Sequence, residues 1–491
     1  ESDTSTPEMT EVVTPLYRAE LSSRGAGLVS WKLAKYRDST DRDAGPVELV
    51  TPGPQGQAAL ATPFVELGLG DLTLASFRLV SHDDASAVFE YSAGGLTVRK
   101  TFTFDKERYQ ARLNVDVRND SAQSVSPGFF VAWPMVQRGA PKYFDERLSV
   151  MHQGSVHRVP VTSVGDPGLL AKLFGASSTP TQTFDGDIDW VAAESRYFLA
   201  AMIPDLPREA IARFARGEEP RESEASLGFR PVELPSSHAA SREIQIYVGP
   251  KDLNLLGEVG SHLERTVDLG YSWVAPLTRV FGGLLHAVYA VIPNYGVAII
   301  VLTVLVRVAT APLTTRQMRS MAKMGNLQPR IKELQEKFAD DRPRQSQEMM
   351  KLYKESGVNP LGGCLPILLQ FPVFIGLYYA LQSSIDLRHA PFFGWIRDLS
   401  APEQVGTLPI VDLPIRILPI VMGGSMVLQQ RLTPSTSMDP AQARMMMTVM
   451  PVMFTVLFYQ FPSGLVLYWL VSNLLAVGHQ YWLKRSMNVA K

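Results

Sequence analysis

The sequence predicts a two-part chain: a β-sandwich, followed by an all-α polytopic membrane core of five helices with a cytoplasmic helical hairpin. Three observations support this class: strand-like alternation in the front half, long apolar runs in the back half, and opposite net charges. Residues 1–265 carry 27 Lys+Arg against 36 Asp+Glu, whereas the rest of the chain carries 20 against 12. Because the basic half is also the apolar half, the asymmetry indicates a membrane with a basic cytoplasmic face rather than nucleic acid.

The front half is predicted to consist of strands joined by polar turns. Apolar and polar residues alternate over 95–104 and again over 109–117, and the polar segment 105–108 lies between them. Two alternating runs joined by a short turn are typical of a β-hairpin. Several such runs favour a β-sandwich over residues 1–265, and further examples lie at 62–69, 75–80, 86–91, 197–203 and 242–248.

The front half carries little recognisable chemistry. His152 and His157 are five residues apart among polar residues, and we interpret them as surface or hydrogen-bonding histidines rather than metal ligands. Cys364 is the single cysteine, so no intramolecular disulfide forms, and its apolar surroundings indicate a buried thiol. No phosphate loop, nucleophile elbow or metal-ligand spacing is visible, and we expect neither a cofactor nor a metal.

The back half, residues 291–491, is predicted to cross a membrane. It is preceded by residues 266–290, where apolar residues at helical spacing indicate an amphipathic helix lying at the membrane interface. The first apolar run, Val291–Pro312, is about 33 Å long as a helix, enough to cross a bilayer. The predicted spans are 291–312, 360–382, 414–430, 446–461 and 464–483.

Charges in the connecting segments predict the orientation. Residues 313–358 carry 10 Lys+Arg against 6 Asp+Glu, whereas 383–413 carry 2 against 4. Cytoplasmic segments carry the Lys/Arg excess, so 313–358, 431–445 and the C-terminal tail lie inside, and residues 1–265 outside. Segment 313–358 is predicted to be a helical hairpin. Its apolar stripe serves either helix packing or an adaptable surface for apolar partners, and comprises Met321, Met324, Leu327, Ile331, Leu334 and Phe338.

Arg307 is the one charged residue of the first predicted span. A charge in this position is costly against lipid, which predicts that Arg307 faces a hydrated, protein-lined space. Two alternatives remain open from the residues alone. Arg307 lies five residues before Pro312, so its side chain is also able to snorkel to the interface. The second alternative is that Arg307 is the substrate counter-ion of a secondary transporter.

Several motifs of the back half resemble the YidC family of membrane protein insertases, in particular its bacterial members with a large periplasmic domain. They are the hairpin segments 320–324, 327–329 and 347–354, the segment 358–364 (Val-Asn-Pro-Leu-Gly-Gly-Cys), and the segments 461–468 and 471–473. The resemblance implies an inner-membrane protein whose front domain is a periplasmic β-supersandwich similar to galactose-mutarotase folds. The family has an N-terminal anchor helix, so we expect this chain to be trimmed.

The resemblance also implies a function. It predicts a non-enzymatic insertase and chaperone that moves nascent proteins into the bilayer through a hydrophilic groove, alone or with the Sec translocon. Nascent membrane proteins, the ribosome, the Sec translocon and membrane lipids are the expected partners, with no cofactor. The groove residues expected are Arg307, Thr303, Gln430, Tyr468 and Trp469, where Trp469 replaces the Tyr of some relatives.

Two other classes of function are weaker. A secondary transporter is disfavoured because the five predicted spans show no inverted repeat. A membrane-tethered sugar-binding or mutarotase-like enzyme is disfavoured because the front half shows no constellation of acidic residues and histidines.

Overall fold

The chain folds as two units, Glu1–Val267 and Asp268–Lys491, whereas the sequence places the boundary after residue 265. The first unit is rich in β-strands and the second is helical. The computed structural model describes residues 6–41, 43–137, 146–166, 179–219, 221–339, 341–357, 365–408, 413–432 and 445–489.

The strands of the first unit follow the expected alternation of buried and exposed residues. The predicted hairpin is confirmed: β7 and β8 pair antiparallel, and the Asp105 side chain accepts the backbone N–H groups of Glu107 and Arg108 at the turn. The strands are β1 (Met9–Val13), β2 (Tyr17–Ser22), β3 (Gly27–Arg37), β4 (Pro46–Glu48), β5 (Arg78–His82), β6 (Ser86–Ala93), β7 (Leu96–Phe104), β8 (Gln110–Asn119), β9 (Val131–Val136), β10 (Arg147–His152), β11 (Ser155–Pro160), β12 (Thr181–Asp185), β13 (Ile188–Glu194), β14 (Phe198–Pro204), β15 (Ala210–Arg216), β16 (Glu222–Phe229) and β17 (His238–Pro250).

One strand prediction is wrong. Residues 62–69 alternate in polarity, but the structure places a short 3-10 helix at Val65–Leu67. Phe64 and Gly68, on either side of it, have φ angles of 46° and 70°. This left-handed conformation is incompatible with an extended strand, so the chain turns here despite its polarity pattern.

The strands form a large sheet with two smaller sheets packed against it. In the described residues, nine strands pair in the order β11-β10-β13-β14-β17-β8-β7-β6-β5, and two four-stranded sheets have the orders β1-β2-β3-β4 and β12-β15-β16-β9. Trp31 of β3 stacks on Tyr17 and contacts Phe104 of β7. The third sheet packs through β15, β16 and β9 against β13. Buried aromatic residues therefore hold these layers together.

The described helices lie at each of the five predicted spans. The stretch Tyr295–Arg319, which lies within one of these helices, is long and apolar enough to cross a membrane, with a mean hydropathy of 2.2. A shorter apolar helical stretch covers Met447–Phe458. Five crossings therefore remain a prediction. The helices are α1 (Leu253–Val259) in the first unit, then α2 (Ala275–Val291), α3 (Tyr295–Asn326), α4 (Gln328–Lys337), α5 (Arg342–Glu355), α6 (Leu365–Ser383), α7 (Ile417–Leu432), α8 (Met450–Phe458) and α9 (Ser463–Val489).

Helix α3 extends well beyond the predicted end of the first span. Pro312 lies inside it, and the helix continues to Asn326. The first span and the beginning of segment 313–358 therefore form one continuous helix. Proline is tolerated inside membrane helices because neighbouring groups satisfy the freed carbonyl.

Helices α4 and α5 contact each other within segment 313–358. Ile331 of the predicted stripe is fully buried, whereas the side chains of Met321 and Met324 lie outside the described residues. Asp341 caps α5 by accepting the backbone N–H of Arg344, whose guanidinium lies over the Phe338 ring. Apolar packing and local polar contacts thus hold this helical pair.

Helix α9 is anchored at its start by the segment that precedes α7. The backbone N–H groups of Ser463 and Gly464 donate to the carbonyls of Ala401 and Leu399. These bonds satisfy donors that a helix N-terminus otherwise leaves open. They fix the position of α9 beside α3, which it contacts.

Candidate functional site

Arg307 reaches from α3 to α9. Its Nε and Nη2 donate to the Oγ atom of Ser472 at 3.0 and 2.6 Å, and its side chain is partly buried. Among the residues that the structure describes, no carboxylate forms an ion pair with Arg307. A neutral hydroxyl therefore orients the guanidinium without neutralising its charge.

A second hydrogen bond joins α6 to α9 next to this contact. The amide of Gln370 donates to the Tyr468 hydroxyl at 2.7 Å, and Tyr468 is almost completely buried. Ser472 lies one helical turn after Tyr468, and its hydroxyl is next to the Tyr468 hydroxyl. Arg307, Ser472, Tyr468 and Gln370 thus form a continuous polar network across three helices.

The predicted residue Thr303 is fully buried, and its hydroxyl is used within its own helix. It donates to the carbonyl of Ile299 at 2.6 Å. The hydroxyl of Thr310 likewise donates a hydrogen bond to the carbonyl of Val306. The hydrogens of these hydroxyls are therefore occupied by the α3 backbone.

Gln430 and Trp469 are placed differently from Arg307. Gln430 on α7 is partly buried, and its Oε1 is buried without a hydrogen-bond donor among the described residues. The indole of Trp469 packs between aromatic rings of α6 and α8, with ring centroids 5.2 Å from Phe374 and 5.1 Å from Phe458. Trp469 is thus part of an aromatic cluster in the structure.

Sequence reasoning missed Ser472, Gln370 and a second polar contact between α3 and α9. This contact joins Oγ1 of Thr315 to Nε2 of His479 at 3.0 Å. Tyr468, Ser472 and His479 are spaced by four and seven residues, which places them on one face of α9. This spacing inside an apolar helix is the signal that the sequence offers.

The first unit contains a surface cavity of about 560 Å³ lined partly by Gln153, Asp187, Asp189 and Arg208. His152 and His157 do not line this cavity, and both rings pack against Phe184, with centroids at 5.6 and 5.4 Å. Within the described ranges, no group of three or more His, Cys, Asp or Glu is arranged to hold a metal ion.

The chain matches two families along most of its length. Residues 9–282 match the family described as YidC periplasmic domain, and residues 287–491 match the 60Kd inner membrane protein family. The relatives named membrane protein insertase YidC include one from Syntrophus aciditrophicus, 36% identical over 96% of this chain and 84% of the relative. Another, from Actinobacillus succinogenes, is 37% identical over 82% of this chain and 71% of the relative.

A crystal structure of an active YidC insertase is 17% identical, with a TM-score of 0.40, over 98% of this chain and 93% of that chain. The family assignment depends on the sequence matches, which cover both units at more than a third identity. Relatives at this identity are named for inserting membrane proteins, which is not an enzymatic reaction. The chain therefore belongs to the YidC family of membrane protein insertases, inner-membrane proteins with a periplasmic domain.

Proposed function

We propose that the surface around Arg307 is a hydrophilic groove, open to the cytoplasm and to lipid, that holds polar parts of a nascent protein during insertion. The observation that carries this proposal is the pairing of Arg307 with a serine hydroxyl instead of a carboxylate. A positive charge in a membrane helix is costly against lipid, by about 3 to over 10 kcal/mol. A hydrated groove removes that cost and makes the charge available to a client.

In this mechanism the client supplies the driving force. Its acidic or polar translocated residues are attracted to Arg307, while its apolar segment moves sideways into lipid. Each buried CH₂ group stabilises the inserted state by about 0.8 kcal/mol, so a span of some 20 apolar residues needs no nucleotide hydrolysis. The groove shortens the distance over which polar groups of the client lose water.

The other predicted groove residues have specific roles in this proposal. Tyr468 and Thr303 form the buried wall behind Arg307, since both are almost or fully buried. The buried, unpartnered Oε1 of Gln430 accepts a hydrogen bond from an ordered water of the groove. Trp469 supports the wall from behind through the aromatic cluster rather than contacting the client directly.

The proposed topology has five crossings. The first unit, a β-supersandwich, lies in the periplasm, and α4, α5 and the C-terminal tail lie in the cytoplasm, as the Lys/Arg distribution predicts. Helix α2 lies at the interface in contact with lipid, consistent with the exposed Trp273 before it and Val280 within it.

The helical pair α4–α5 is the proposed site of first contact with nascent chains, and with the ribosome or the Sec translocon. It is charged on its surface, and its single fully buried described residue is Ile331. A small apolar interface of this kind opens at low energetic cost, which suits varied partners. The names of the relatives favour insertion over the secondary-transporter and sugar-enzyme alternatives.

Site-specific photo-crosslinking tests the groove. A photoreactive residue at Gln430 is expected to crosslink a stalled nascent membrane protein, because the proposal places this position in the groove. The matched control is Val456 on α8, which is 69% exposed and expected to face lipid. Equal crosslinking from Gln430 and Val456, or none from Gln430, would contradict the proposal.

A further inference from the structure

Ser472 occupies one edge of the Arg307 guanidinium. The Nε and Nη2 atoms, which form the side-on edge of the planar group, both donate to Ser472 Oγ. A hydroxyl oxygen has two lone pairs, so these two donors use its full acceptor capacity. The hydroxyl hydrogen is not used by Arg307 and remains for the neighbouring Tyr468 oxygen.

The opposite edge of the guanidinium is left free. Arginine carries five N–H donors, and the three not bound to Ser472 have no acceptor among the residues that the structure describes. Arg307 is only partly buried, so part of its side chain remains accessible. Nη1 and the second Nη2 hydrogen form the end-on edge, which matches the two oxygens of a carboxylate.

We propose that Ser472 is a positioning residue for insertion: it holds the side-on edge of Arg307 against α9 and presents the end-on edge to acidic residues of the client. This inference rests on the groove proposed above and explains how the groove would prefer clients with acidic residues. A carboxylate at position 472 would hold the guanidinium equally well but would neutralise it. A hydroxyl fixes the geometry and keeps the charge.

The same network explains why the hydroxyl itself is held in place. Ser472 is 4% exposed and lies between Arg307 and Tyr468, and Tyr468 is fixed by Gln370 on α6. Three helices thus determine where the guanidinium lies. Without this contact, a flexible arginine side chain would sample other directions and would have to be ordered by each client.

The test uses the full chain in membrane vesicles and pairs of clients that differ only in whether the translocated segment is acidic or neutral. The measured quantity is the ratio of acidic to neutral insertion. Ser472→Ala is expected to lower this ratio by about threefold to tenfold, the factor contributed by one net hydrogen bond. Ser472→Thr keeps the hydroxyl and is expected to restore the ratio. Ser472→Asp is expected to abolish the preference for acidic clients.

The matched control is Ser425→Ala. Ser425 is also a buried serine of the helical unit, but it bonds Asn473 and the carbonyl of Met422 instead of Arg307. Removing the Ser425 hydroxyl is expected to lower the stability of the helical unit without changing the ratio of acidic to neutral insertion. If Ser472→Ala is poorly folded, Ser472→Asp decides the matter, since an unchanged preference for acidic clients in that variant overturns the proposal.

Arg307→Ala separates this inference from the groove itself. If Arg307→Ala and Ser472→Ala both lose the preference for acidic clients, the positioning role is supported. If only Arg307→Ala loses it, the groove stands and the role of Ser472 is wrong. If Arg307→Ala impairs acidic and neutral clients equally, the electrostatic groove is wrong, and the inference about Ser472 is overturned with it.

Discussion

Glu194 in the β-rich unit is a buried charge and Arg307 in the helical unit is a partly buried one, and their partners differ. Glu194 is completely buried, and its carboxylate lies 2.6 Å from Lys251, 3.5 Å from Arg158 and 3.8 Å from Arg147. Burial alone raises the pKa of Glu194, but these three cations outweigh it and leave the pKa below its usual value. Among the residues that the structure describes, Arg307 has only the neutral hydroxyl of Ser472 as a hydrogen-bond partner.

The difference in partners indicates that the charge of Glu194 stabilises the fold, whereas the charge of Arg307 serves function. The carboxylate of Glu194 is held by three cations of the protein, so it is not available to a ligand, and the cluster ties β10, β11 and β13 to the residue that follows β17. Arg307 retains its charge because its partner is neutral. A buried charge that lacks a countercharge in the protein is one that a substrate can use.

The largest expected effect comes from removing the functional charge. Arg307→Ala is expected to lower insertion of clients with acidic translocated segments by about tenfold or more, the factor for a charge-assisted hydrogen bond. Arg307→Lys keeps the positive charge but loses the planar fork, so its activity on acidic clients should lie between those of the wild type and Arg307→Ala. Insertion of matched acidic and neutral clients at equal insertase levels measures both effects. A mild and equal defect of Arg307→Ala for every client would indicate a snorkelling arginine instead.

Removing the structural charge is expected to act on stability. Glu194→Gln leaves Lys251, Arg158 and Arg147 without their carboxylate, and breaking such a buried pair costs about 3–5 kcal/mol. The control is Asp185→Asn, since the Asp185–Arg230 pair is more than half exposed on both sides and contributes at most about 1 kcal/mol. Pulse proteolysis of the first unit across a urea series measures both variants. Equal unfolding midpoints would contradict the structural role of Glu194.

The sequence predicts features that repeat along the chain. The β7–β8 hairpin follows from alternation over 95–117, and the helical positions follow from apolar runs. The wrong strand at 62–69 shows the limit of this approach. Residues 95–104 and 62–69 alternate in polarity with the same period, but the backbone at Phe64 is left-handed. The polarity of a residue does not determine its φ angle, so the pattern cannot predict this turn.

The candidate site is predictable only in part. A charge in an apolar run identifies Arg307 without any knowledge of its neighbours. Ser472 is 165 residues away in the sequence, and the contact depends on how α3 and α9 pack. Trp469, next to Tyr468, shows the same limit. Adjacent helical residues face different directions, so Tyr468 joins the polar network while Trp469 joins the aromatic cluster.

A smaller effect is expected from Lys100, a second buried charge of the β-rich unit. Lys100 on β7 is fully buried, and its Nζ donates to the backbone carbonyls of Leu60 at 2.6 Å and Gly25 at 3.3 Å. It has no carboxylate partner among the described residues, unlike Lys251. Burial therefore lowers the pKa of Lys100 to about 7 from the ordinary value of 10.5.

This shift makes the stability of the β-rich unit depend on pH. Between pH 7 and 10.5 the unfolded chain holds a proton on Lys100 that the folded chain has released. The free energy of unfolding therefore rises with pH in this window, by at most about 1.4 kcal/mol per pH unit. Lys100→Met should lose this rise, whereas Lys106→Met, at an exposed lysine, should keep it. Urea unfolding at pH 7, 8 and 9 measures the free energy of unfolding of the wild type and both variants. Other titrating groups contribute equally to the wild type and the variants, so they cancel in the difference between them. Parallel pH profiles for the wild type and Lys100→Met would show that Lys100 keeps its proton in the folded state, held by the two carbonyls.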